Sequence, residues 1–287
     1  MGPDAYRAAG LKAVIEELGF TVLDQGNLAP RSSNVATHPN DSIHGLNDTV
    51  GWAEALESAA YEAIKDKDLP IFLGGDHSLS IGTVPGVARH ACETGREQFV
   101  LWLDAHPDIH TLKTTSSGNL HGTPVAYFSG HPDFKGSYPE LRHPVKPANI
   151  CMMGIRSVDP AEKEHLAKSE ICVHDMRAID EFGIVRPLTA FLERVAKAQG
   201  ALHLSLDVDF LEPHIAPAVG TTVPGGATFR EAHLVMETLG DSGLVTSVDL
   251  VELNPYLDER GRTARLMVDL CASLLGRKVL DRPTQSY

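Results

Sequence analysis

Apolar and polar positions fall in alternating blocks along this chain. Short runs dense in Val, Ile, Leu, Met and Phe are separated by stretches with apolar residues three and four apart. The first kind reads as buried strands, the second as amphipathic helices. The predicted strands are FTVLD (20–24), PIFLGG (70–75), FVLWLDA (99–105), NICMMGI (149–155), EICVHD (170–175), ALHLSLDVD (201–209) and LVTSVDLVEL (244–253). Helices are predicted over 5–19, 47–66, 187–200, 228–240 and 262–276. Their ends carry stop and start signals. Asn47 or Asp48 caps the second, Pro187 and Gly200 bracket the third, and Thr228 to Glu231 is a capping box. This alternation predicts an α/β fold with a parallel sheet covered by helices on both faces. No linker, repeat or low-complexity segment interrupts it, so residues 1–287 are expected to form a single domain. Ligand sites in such folds lie at the carboxyl ends of the strands. The long Gly/Pro/Ser-rich stretches 111–124 and 212–226 follow strands at that edge.

Composition narrows the partners. With 25 Lys plus Arg against 38 Asp plus Glu, the formal net charge is -13. That opposes general binding to nucleic acid or to an anionic membrane, both of which call for basic surface. No apolar run approaches the roughly 18–20 residues of a membrane span. The N-terminal MGPDAYRAAGLK lacks the apolar core of a secretory signal. Cys92, Cys151, Cys172 and Cys271 form neither a CxxC pair nor a disulfide framework. They read as packing residues in a reducing, cytoplasmic setting.

The chemistry sits where strands end. PIFLGG runs into Asp76-His77, FVLWL into Asp104, His106 and Asp108, ALHLSL into Asp207 and Asp209, and VTSVDLV into Glu252. Positions i, i+2 and i+4 of an extended chain point the same way. Asp104, His106 and Asp108 are therefore expected to project together, as are Asp207 and Asp209. A lone DxD is ordinarily a turn or a cap, and a lone His beside a strand is ordinarily structural. Three acidic clusters ending three apolar strands are another matter. Packed carboxylates repel, and burial raises their pKa values. Divalent cations resolve this, since two of them balance the four negative charges. Oxygen and imidazole donors together suit Mn²⁺, Fe²⁺, Co²⁺ or Zn²⁺. Two such ions about 3.5–4 Å apart acidify a shared water into a hydroxide nucleophile.

The motifs GGDHS (74–78), DAHPDIH (104–110), SLDVDFLEP (205–213) and VELNP (251–255) resemble the signatures of the ureohydrolases. Within that superfamily TTSSGNLHGTP (114–124), at its spacing from DAHPDIHT, resembles the arginases. The resemblance implies a three-layer α-β-α sandwich with a parallel sheet of about eight strands, assembled as a homotrimer or homohexamer. It implies two Mn²⁺ ions per subunit. His77, Asp104, Asp108 and Asp207 would hold the first, and Asp104, His106, Asp207 and Asp209 the second. It further implies hydrolysis of L-arginine to L-ornithine and urea by a metal-bridging hydroxide. Asp108 would take the proton left on the attacking oxygen. Glu252 would hold the guanidinium by charge-assisted hydrogen bonds. His121 would pass a proton to the departing amine. Thr221 matches a substrate-pocket position. Ser117 and Asn119 match binders of the α-carboxylate, and Asp159 and Glu162 match residues near the α-amino group. Asp159-Pro160 and Glu162 also read as a helix start, and Ser117 and Asn119 as turn residues.

Three departures stand out. His110 sits where the arginase pattern has an Asn that contacts the substrate carboxylate. Thr222 replaces a proline after Thr221. The sheet's first strand, expected before the helix at 5–19, has no counterpart here. Other ureohydrolases, acting on agmatine, guanidinobutyrate or formimidoylglutamate, share the metal motifs. A metallophosphoesterase also uses Asp, His and Asn ligands, but their spacing differs and no Arg or Lys cluster stands ready for phosphate. A non-catalytic metal-binding protein would have no need of His121 and Glu252.

Overall fold

The computed structural model describes residues 1–30, 36–65 and 68–281. Six strands form one parallel sheet: β1 (Ile71–Leu73), β2 (Gln98–Leu103), β3 (Ile150–Ile155), β4 (Cys172–Asp175), β5 (Ala201–Asp207) and β6 (Val245–Val251). Their order is β1-β6-β5-β2-β3-β4. The helices are α1 (Gly2–Ala8), α2 (Leu11–Glu17), α3 (Leu46–Lys65), α4 (Ser80–Glu93), α5 (Pro124–Phe128), α6 (Pro160–Ala167), α7 (Met176–Phe182), α8 (Val185–Ala198), α9 (Phe229–Ser242) and α10 (Arg262–Leu274).

The central strands are fully buried and almost wholly apolar, as sheets covered on both faces require. Alternation splits their side chains between two cores. Leu101, Leu103, Cys151 and Met153 pack with α1, α2 and α7–α10. Val100, Trp102, Ile150 and Met152 pack with α3, α4 and α5. The result is the expected three-layer sandwich. No helix among the described residues is long and apolar enough to cross a membrane.

The differences from the sequence reading lie at the margins. FTVLD (20–24) forms no strand, and Phe20 and Leu23 are exposed. It lines, together with β1, an open cleft of about 1140 Å³. The described sheet accordingly has six strands, against the eight or so that the resemblance implies. The helix expected over 5–19 breaks in two, because Gly10 takes a left-handed φ of 88°. Helix α3 starts one residue before Asn47, whose side chain instead accepts from the Ala36 backbone N–H. Thr228 caps α9 as predicted, with Glu231 closing the capping box.

The topology sets the stage for chemistry. From β2 the chain moves outward through β3 to β4. It then returns to β5, on the other flank of β2, and continues to β6. The carboxyl ends of β2 and β5 form the switch point where such sheets open a crevice. Leu103 pairs with Leu206, so Asp104 and Asp207 leave the sheet side by side.

Candidate metal centre

His77 sits in the tight turn after β1, where the Asp76 side chain accepts from Ser78 N–H. Its ring is buried. It stacks on Trp102 with centroids 3.9 Å apart and planes 5° from parallel. Its Nε2 lies 2.7 Å from Ser205 Oγ. These two contacts fix the ring so that Nδ1 faces carboxylates. It lies 3.0 Å from Asp104 Oδ2, 3.2 Å from Asp108 Oδ2 and 3.0 Å from Asp207 Oδ2. A second group adjoins it. His106 Nδ1 lies 2.9 Å from Asp209 Oδ2 and 3.6 Å from Asp104 Oδ1. Asp104 belongs to both groups.

The residues converge as expected, but not by strand alternation. Strand β2 ends at Leu103 and β5 at Asp207. Once the chain leaves the ladder, its N–H groups need new acceptors, and the carboxylates supply them. Asp104 Oδ1 accepts from His106 N–H at 2.6 Å, and Asp207 Oδ1 from Asp209 N–H at 2.7 Å. Asp209 Oδ1 accepts from Ala105 N–H at 2.9 Å, tying the two loops together. Asp108 adopts a left-handed φ of 47°, and Asp209 lies in the short 3-10 turn Val208–Phe210.

The electrostatics are those of a crowded anion site. Burial pushes Asp108 up to about 7, Asp209 up to about 6, and Asp207 well above the carboxylate range. Asp104 moves the other way: burial opposes ionisation, and contacts with His106 and His77 outweigh it. His106 rises to about 11, because Asp104 and Asp209 overcome the cost of burying its cation. His77 Nδ1 and Asp104 Oδ2 are both buried, yet neither meets a partner in hydrogen-bonding geometry among the described residues. Buried polar atoms left so are costly. A donor nitrogen and three carboxylates facing one point fit a divalent cation.

Glu252 follows β6 with φ 65°, another non-glycine residue in the left-handed region. Its Oε1 accepts from His77 N–H at 2.7 Å and lies 3.3 Å from His121 Nδ1. That bond raises His121 to about 8. His121 and Asn119 line the same cleft as FTVLD and β1. Thr221 Oγ1 donates to Asp209 Oδ2 at 3.3 Å.

A further group forms beside this core. His110 Nε2 lies 3.0 Å from Asp159 Oδ2 and 3.8 Å from Glu162 Oε2, and its Nδ1 lies 3.1 Å from Thr114 Oγ1. Glu162 is buried, and its oxygens accept from Ile109 and Asp159 N–H at 3.2 and 3.1 Å. It therefore starts α6 and clamps the loop after β2 at once. Ser117 Oγ accepts from Asn119 N–H, and neither side chain bonds to these groups among the described residues. Their loop is held from outside: Asn40 Nδ2 donates to Leu112 and Thr115 carbonyls. Gly118, at φ 75°, packs so closely on Ser42 that a Cβ would collide with its carbonyl oxygen.

Three participants escaped the sequence reading. Ser205 lies two residues before Asp207, so strand alternation pointed to it. Trp102 had no such signal, because its stacking depends on where β1 ends. Arg156, just after β3, donates to the Asp209 and Val223 carbonyls at 2.6 and 2.7 Å, pinning the 208–224 loop under the cluster. Burial lowers its pKa against the pull of Asp209 and Asp104.

The sequence profile described as the arginase family matches residues 1–276. The arginase of Brucella melitensis is 65% identical over 287 residues, covering 100% of this chain and 94% of that protein. A crystal structure of arginase from Bacillus subtilis superposes with a TM-score of 0.87 at 38% identity, covering 97% and 93% of the two chains. The Entamoeba histolytica arginase, solved in complex with L-ornithine, superposes with a TM-score of 0.81 at 27% identity, covering 96% and 91%.

Proposed function

This chain belongs to the arginase family, and from that premise we propose that it hydrolyses L-arginine to L-ornithine and urea. It is a metal-dependent hydrolase of the arginase type. The observation that carries the reading is the pair of buried groups sharing Asp104, with His77 Nδ1 and Asp104 Oδ2 unsatisfied at their meeting point.

We assign the cofactor as two Mn²⁺ per subunit. His77, Asp104, Asp108 and Asp207 would hold one, and Asp104, His106, Asp207 and Asp209 the other. When bound, such ions neutralise the carboxylates and supply an acidified water as nucleophile. The chain's own residues do the rest. Asp108, which burial already inclines to accept a proton, takes the one released as water adds to the guanidinium carbon. Glu252, beside His121, holds the guanidinium by charge-assisted bonds. His121 carries a proton near neutral pH and delivers it to the departing ornithine amine. At the far end Ser117, Asn119 and His110 take the α-carboxylate, with an imidazole N–H of His110 in place of an amide. Asp159 and Glu162 face the α-ammonium, and Thr221 borders the pocket. The single domain 1–287 is taken to act in the cytoplasm as a homotrimer or homohexamer.

Agmatine lacks the α-carboxylate, so the loop 115–119 with His110 favours arginine over it. Guanidinobutyrate lacks the α-ammonium that Asp159 and Glu162 face, and formimidoylglutamate is the remaining competitor. Urea release from arginine, agmatine and guanidinobutyrate after Mn²⁺ activation tests the reading. Arginine is expected to turn over fastest. Faster turnover of agmatine would sink it.

A further inference from the structure

The parallel pairing of β3 with β4 sets Cys151 directly beside Cys172, although 21 positions separate them in sequence. His174 shares the face of Cys172 by strand alternation. Its Nε2 lies 3.2 Å from Cys172 Sγ. One donor atom from each of the three lies within 4.8 Å of the other two. We propose that Cys151, Cys172 and His174 form a second metal site, separate from the carboxylate centre, that takes a zinc-type ion.

The donor set decides the class of ion. Two sulfurs and an imidazole select zinc-type or softer cations, whereas the oxygen-rich centre does not. Tetrahedral bonds of about 2.0–2.3 Å put donors roughly 3.3–3.8 Å apart. The Cys172–His174 pair, at 3.2 Å, lies just short of that spacing, so closure needs these two donors to part slightly. Two thiolates also balance a divalent charge, which suits a half-buried position. Cys151 is fully buried, while Cys172 and His174 are partly exposed. Solvent can therefore deliver the ion and fill a fourth position. Deprotonation costs little at Cys172 and more at Cys151, whose thiol the neighbouring Cys172 and burial push up. The neighbouring Cys151 thiol and His174 hold the Cys172 thiol down to about 4. The backbone ladder fixes the set, since Cys172 pairs with Cys151 and His174 with Met153. The site stands on the second residue of β3, away from the carboxyl-end crevice, so it does not depend on the arginase reading.

Cadmium is a suitable zinc-class probe, because thiolate-to-cadmium charge transfer absorbs in the ultraviolet and oxygen ligands give no such band. Mn²⁺-loaded protein is titrated with Cd²⁺. The band should saturate at one ion per chain and be displaced by Zn²⁺. It should vanish in Cys172→Ser and persist in Cys92→Ser, the exposed thiol elsewhere. His174→Ala should weaken cadmium binding by about tenfold or more. Urea release and circular dichroism should stay at wild-type levels in these variants, since none touches the carboxylate centre. No band in the wild type at stoichiometric cadmium overturns the proposal, whatever the variants do. So does an undiminished band in Cys172→Ser, or unchanged affinity in folded His174→Ala.

Discussion

At the residue scale, the six metal-ligand candidates were legible because their types are scarce at strand ends and their spacing is specific. What held them in place was only partly legible. Alternation from Asp207 pointed to Ser205, whereas Trp102 and Arg156 act through neighbours that only the folded sheet supplies. His121 shows how such a neighbour sets chemistry. Its bond to Glu252 raises it to about 8, above an unfolded value near 6.5. A raised pKa means that the fold favours the protonated ring. That contribution is complete below about 6.5 and is lost as pH rises through about 8. In metal-free protein, NMR titration should place the His121 ring near 8, and Glu252→Gln should bring it toward 6.5. A His121 that ignores Glu252→Gln would refute the coupling. His110 tests specificity in the same way. It bonds to Asp159 and Thr114 and to no metal-ligand candidate. His110→Asn should therefore shift the arginine KM severalfold while manganese content stays the same. A loss of manganese would make His110 a ligand instead.

At the element scale, six of the seven predicted strands formed, and their carboxyl ends carry the site. The failure of FTVLD is instructive: apolar content nominates a strand, but a strand also needs a pairing partner, and Phe20 and Leu23 lie exposed instead. The alternation argument reached the right convergence by the wrong path. Strands deliver Asp104 and Asp207 to the crevice, and then side-chain-capped turns aim the rest. Asp108 and Glu252, at φ 47° and 65°, hold left-handed conformations that cost energy without glycine. No periodicity announces that. The 115–119 loop is an element of the same kind, shaped by Gly118 against Ser42. Gly118→Ala adds a Cβ that clashes there and strains a φ of 75°. It should destabilise by about 1–3 kcal/mol, as strained positions do, measured by urea denaturation. The arginine KM should rise while metal content stays unchanged. An unchanged KM would detach this loop from the substrate.

At the whole-molecule scale, the α/β class followed from alternation alone, whereas the strand order did not, because nothing local says that β5 returns beside β2. That return brings four carboxylates together in a chain already carrying a net charge of -13. The molecule's stability is therefore tied to cation binding and to pH. Bound ions stabilise the folded state by about 2.7 kcal/mol at a hundredfold excess over Kd. Chelation should accordingly lower Tm by about 5 °C or more. The pH dependence of that difference follows from the shifts. Burial raises Asp108 to about 7 and Asp209 to about 6 from an unfolded value near 3.9, and His77 and His106 also lie above theirs. Each favours the protonated fold, so its contribution is lost as pH rises through its folded value. Asp104 runs the opposite way, but its window lies at the acid end. Metal-free protein should thus gain stability between pH 8 and pH 5, where protons take the place of cations. The loaded protein should lose its advantage over the same range, because ligands must shed protons to bind metal. Calorimetry with and without chelator should show the gap in Tm widest at pH 8 and narrowing toward pH 5. A gap independent of pH would mean that the carboxylate cluster is not where the ions bind.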